Sequence, residues 1–176
     1  MKKQKLLTLA LMVILVSNVI FISSCVQKES PPTTETPQLS YPDKDIYIEQ
    51  VVITLKLVRG TLKIASQATR DLADGQITRE EFREMAVSGR RNLEGARVDM
   101  SSVVPPSEVI TGKITFEDMH DNLMRGIKSY IKAFDEMIGY GNDGRMSHID
   151  KATDYIKSGD SYINVVTIEL GIVRKE

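Results

Sequence analysis

Few side chains in this sequence are suited to metal or nucleophilic chemistry: two histidines, His120 and His148, and one cysteine, Cys25. His120 has Met119 beside it and Met124 four residues on. Imidazole and thioether together can ligate haem iron or copper, so His120 is the one candidate metal ligand. A di-iron bundle would need two Glu-x-x-His pairs. Glu117 stands three residues before His120, and no second such pair exists. There is no Cys-x-x-Cys-His attachment site either. Met85, Met100, Met119, Met124, Met137 and Met146 are scattered along the chain and read as core filler. His148 falls at a turn or helix start, in contact with water. The reading is a chain with no cofactor.

Two other patterns invite chemistry. Asp74, Gly75, Ile77 and Glu81 have the offsets of the second half of an EF-hand loop. The first half fails, because Arg70 and Leu72 stand where carboxylates are required. A helix–turn–helix connection explains the same residues. Catalysis by a nucleophile has no Gly-x-Ser-x-Gly signature, and neither histidine has a serine partner by spacing. Acidic residues fall at expected helix starts and solvent faces. The chain reads as a non-enzyme.

Cys25 belongs to a different arrangement. Lys2, Lys3 and Lys5 open the chain, a 17-residue run from Leu6 to Ile22 follows, and Ser23-Ser24-Cys25 closes the segment. Thr8, Ser17 and Asn18 interrupt the run, which is short for a permanent span of about 20 residues. The arrangement resembles the signal peptide and lipobox of prokaryotic lipoproteins. The resemblance covers residues 1–25, and it implies removal of residues 1–24 and lipid on the Cys25 thiol. An uncleaved membrane anchor is the alternative. Under either, positive charge stays in the cytoplasm and the remainder faces outside, attached to the cell membrane. Cleavage leaves 20 basic and 24 acidic residues, a net charge of −4. Such a mildly acidic domain is not built for nucleic acid. No second cysteine exists, so no intrachain disulfide forms.

Residues 25–42 form a linker rich in Pro, Thr, Ser and Glu, which cannot bury enough apolar surface to fold. The bundle domain then spans 43–174. Helical periodicity occurs four times. From about Asp43 to Asp74, Ile48, Val51, Leu55, Val58, Leu62, Ala65 and Leu72 share a face, and Gly75 suits a left-handed terminator. Thr78 and Glu81 have capping-box spacing, with Ile77 and Phe82 as a hydrophobic staple. The small residues Ala86, Gly89 and Ala96 on that second face predict a close helix approach. The third segment starts at Pro106 or at Thr115, carries Phe116, His120, Leu123, Ile127, Tyr130, Phe134 and Met137, and ends near Ile138. Residues 139–144 read as a turn cluster. The fourth runs from about Arg145, through Ile149, Ala152, Ile156, Gly159, Ile163, Val166 and Leu170, to Val173. Arg174 and Lys175 complement its dipole. No strand pattern of useful length is present.

Four amphipathic helices with short turns predict an all-α, antiparallel up-down four-helix bundle. Two hairpins packed across a dimer are the alternative. Ile53, Leu57 and Ile64 in the first helix, and Val165, Ile168 and Ile172 in the fourth, lie off the main apolar faces. They are candidates for an interface with a protein partner or a second copy. The likeness to small helical surface lipoproteins supplies no mechanism. The expected role is a lipid-anchored binding or interaction module. An envelope spacer and a metal- or haem-binding bundle are the alternatives. We expect Cys25→Ser to abolish incorporation of radiolabelled fatty acid, with wild-type protein labelled and membrane-associated.

Overall fold

The structure, a computed structural model, describes residues 43–173. The signal segment, Cys25, the linker, Arg174 and Lys175 lie outside the described residues. Four helices carry the fold: α1 (Lys44–Ala73), α2 (Arg79–Ser101), α3 (Phe116–Asp143) and α4 (Met146–Val173). Each packs closely on the next in sequence, as an up-down bundle requires. The backbones of α1 and α4 do not approach comparably.

The helix starts follow from local chemistry. Asp43 accepts a hydrogen bond from the Asp45 amide at 2.9 Å, opening α1. At α2, the Glu81 amide donates to Thr78 Oγ1 at 3.2 Å and the Thr78 amide to Glu81 Oε2 at 2.8 Å. At α3, Thr115 and Asp118 repeat this reciprocal pair, both bonds at 3.1 Å. Each pair satisfies two otherwise orphaned amides. Thr115 rather than Pro106 therefore starts the third helix, and Pro106 is buried in the connection before it.

That connection holds two strands the sequence reading did not anticipate. β1 (Val109–Thr111) and β2 (Ile114–Thr115) pair antiparallel around Gly112, whose φ is +56°. Strands this short offer no alternation to detect. Ile110 anchors the hairpin in the core, and β1 lies against α4. The expected turn cluster at 139–144 also proves different, since α3 continues to Asp143 and only Gly144, at φ +73°, ends it. Gly139 and Gly141 serve packing instead. A Cβ at Gly139 would meet the His148 ring at 2.8 Å, and one at Gly141 would strike the stem of Arg83.

The core runs the length of the bundle through Val51, Val58, Phe82, Leu93, Leu123, Ile127, Phe134 and Val166. On α1 it also takes in Tyr47, Thr54 and Thr61, while Ile48, Leu62 and Leu72 are only half-buried. The buried face is thus rotated from the one the apolar residues alone suggest. Each threonine brings a methyl group to the buried face.

Glycines set the closest helix contacts. A Cβ at Gly89 of α2 would enter the Phe134 ring of α3. One at Gly126 of α3 would lie 2.8 Å from Ile163, and one at Gly159 of α4 would press on the Tyr130 ring. Gly95, by contrast, faces open space. We expect Gly89→Ala to destabilise by ~1–3 kcal/mol through overpacking. Gly95→Ala should stabilise by ~0.5–1 kcal/mol through helix propensity. Urea unfolding followed by circular dichroism distinguishes the two.

Candidate functional site

The wide spacing of α1 and α4 leaves a cleft along the bundle. On α1 the residues turned toward it recur at three- and four-residue steps, including Val52, Lys56, Arg59, Leu62, Ser66 and Arg70. Ile149, Thr153, Ile156, Asp160, Thr167 and Gly171 line the α4 side. One lobe of about 440 Å³ has an apolar floor of Leu62, Ala65, Met137, Ala152 and Ile156, with Ser66, Thr69 and Thr153 adding hydroxyls. The other, about 280 Å³, is bounded by Val52, Leu55, Lys56 and Arg59 against Thr167, Leu170 and Gly171. Small residues at 65, 66, 152 and 171 explain the space, because no long side chain fills it.

Each lobe is lined by a polar contact. Arg59 Nη2 donates to Thr167 Oγ1 at 2.9 Å, and that hydroxyl donates in turn to the Ile163 carbonyl at 2.8 Å. Tyr130, laid across Gly159, donates its hydroxyl to Asp160 Oδ1 at 2.7 Å. Burial pushes the Tyr130 phenol far above its ordinary range, and the bond to Asp160 adds to the shift. This phenol remains a donor at any physiological pH.

The charge in the cleft is unbalanced. Arg83, Arg90, Arg97 and Arg145 all pair with carboxylates. Lys56, Arg59 and Arg70 form no ion pair among the described residues, and Arg70 donates only to Ser66 and Gln67 of its own helix. A further cavity of about 120 Å³ lies between α1 and α2, floored by Phe134 and Met137. It is a shallow groove open to solvent, bordered by exposed Ile64, and the smallest of the three spaces.

The residues singled out from the sequence fall elsewhere. Ile53, Leu57, Ile64, Val165 and Ile168 are exposed, whereas Ile172 packs half-buried on the core. None of the six lines the α1–α4 cleft. Ile64 borders the groove facing α2, and Ile53 and Leu57 continue its stripe along α1. At about 100° per residue, this stripe and the cleft-lining positions occupy opposite flanks of α1. The two sets therefore do not meet in one patch.

His120 is half-buried near the start of α3, its ring 6.1 Å from that of Tyr47. Its Nδ1 is buried and has no partner among the described residues, and burial holds the imidazole below its ordinary pKa. At the same end of the bundle, Glu169 is only 5% exposed, with Oε2 likewise unpartnered. Burial raises its carboxyl, and the charge of Asp118 raises it further. Burial and then the charge of Glu169 raise the Tyr47 phenol. Among the described residues no three His, Cys, Asp or Glu side chains converge on a metal-sized site. At the other end, His148 lies 2.5 Å from Glu136 through Nδ1 and 3.3 Å from Asp143 through Nε2. The Arg145 guanidinium bonds Asp143, and with help from the Arg145 amide and His148 takes its carboxyl down to about 2.

Neither the cleft nor buried Glu169 was read from the sequence. The cleft residues are ordinary flanking positions until α1 and α4 are placed. Glu169 did leave a signal, as the lone carboxylate within the otherwise uncharged run from Val165 to Val173.

No family model matches this chain, and no curated protein or solved structure does.

Glu169 and His120 predict opposite pH effects. A carboxyl raised by folding favours the native state when protonated, and that contribution fades as pH rises through its folded value. Glu169→Gln should therefore raise the unfolding midpoint near pH 7, with the gain shrinking on acidification. An imidazole lowered by folding favours the native state above about pH 6.5, and the contribution is lost as pH falls. His120→Gln should flatten the acid limb of stability measured by urea midpoints.

Proposed function

We propose that this chain is a lipid-anchored, extracytoplasmic binding module, non-enzymatic, whose α1–α4 cleft seats a small ligand. The cleft carries the reading. Its larger lobe, about 440 Å³, falls within the ~300–1,000 Å³ range of ligand sites and has their usual composition, an apolar floor with few polar groups. Those groups suit holding rather than reacting. Hydroxyls, cations and an aspartate already bonded to Tyr130 can orient a ligand without activating a nucleophile. The lipobox-like segment supports attachment at Cys25 to the outer face of the cell membrane. The Pro- and Thr-rich linker supports display of the domain away from that surface.

Native mass spectrometry of protein isolated from its host membrane tests the seat. We expect a discrete small-molecule addition on wild-type protein and its loss in Ala152→Trp, which fills the larger lobe. The proposal fails if wild-type protein carries no addition, or if the variant retains it undiminished while still helical.

A further inference from the structure

We infer that the cleft selects a medium-chain amphiphile with a single carboxylate head, of the fatty-acid type. This deepens the proposed seat and rests on it. The larger lobe is the more apolar, although Arg70 and Asp160 also line it, and that difference sets an orientation. Lys56 and Arg59 bound the smaller lobe one turn apart on α1, with no ion-pair partner among the described residues. Arg59 is already aimed across the cleft by its 2.9 Å bond to Thr167. That bond uses Nη2 alone, so other guanidinium N–H groups remain for the planar, two-oxygen recognition that arginine gives a carboxylate. A lysine one turn away adds a second positive charge to the same oxygens.

The adjoining lobe suits the tail. Leu62, Ala65, Ile149, Ala152 and Ile156 offer apolar surface from the level of Arg59 onward. The distance along α1 from Arg59 to Arg70 is about 16 Å at 1.5 Å per residue, an elongated space matched to an extended alkyl chain. Asp160 lines the tail lobe, held by Tyr130. Its negative charge favours a monoanion over a doubly charged phosphate head, because each added charge would be repelled as well as attracted.

Isoleucine methyl NMR of the full-length protein in lipid nanodiscs tests this, with laurate and dodecanol as probes of equal chain length. We expect laurate to shift the Ile149 and Ile156 methyls in a saturable way while that of buried Ile127 stays fixed. Dodecanol should require about tenfold more, the lower bound for losing a charge-assisted hydrogen bond. Lys56→Gln with Arg59→Gln should raise the half-saturating laurate concentration by at least that factor without altering the helical melting curve. Equal titration by dodecanol, or an unchanged laurate midpoint in the double variant, overturns the carboxylate assignment and leaves the cleft as a seat. Shifts from neither probe overturn the inference outright. Whether the cleft holds any other ligand is then answered by the host-derived mass addition and its loss in Ala152→Trp.

Discussion

The close approach of α3 to its two neighbours governs this bundle. Gly89 admits the Phe134 ring, Gly126 admits Ile163, and Gly159 admits Tyr130. Where a helix offers no Cβ, the facing side chain can lie on its backbone and the dispersion contacts of both are gained. Three such contacts draw α2, α3 and α4 into a tight unit. α1 has no glycine of this kind, since Gly60 faces open space. It packs through ordinary side chains, and the ring of helices closes less tightly between α1 and α4. The cleft is the geometric remainder of tight packing elsewhere.

Much of the architecture is legible from local chemistry. The capping boxes at Thr78 and Thr115, the glycines at 75 and 144 and the three-and-four spacing of apolar residues each act within one helix or turn. A single sequence displays them directly. The errors arise where one residue type serves two purposes. Gly139 and Gly141 look like turn formers, yet they make room for His148 and Arg83 while α3 runs through. Thr54 and Thr61 look like breaks in an apolar face, yet both are buried. The hairpin at 109–115 is shorter than the period that would reveal it.

The cleft was less legible for a related reason. Its lining residues are individually unremarkable: a leucine, alanines, serines and threonines, a few cations. They become a site only through the relative placement of two helices distant in sequence. The exposed stripe at Ile53, Leu57 and Ile64 is visible in the sequence because it is apolar where polar residues are expected. Its position on the α2 flank of α1 depends on which way α1 is rotated. That rotation is set by Tyr47, Thr54 and Thr61, residues that apolar periodicity undervalues. Buried Glu169 and the unpartnered His120 nitrogen likewise acquire meaning only from the helices that enclose them.

The uneven packing has a mechanical side. α4 is fastened to α3 along its length and at its base, where Glu136 and Asp143 grip the His148 ring. α1 is held by fewer close contacts, with single bonds from Tyr47 to the Phe116 carbonyl and from Arg59 to Thr167, and it is the first helix of the domain. Any pull transmitted from the N-terminal side therefore enters the domain at the more loosely held wall of the cleft.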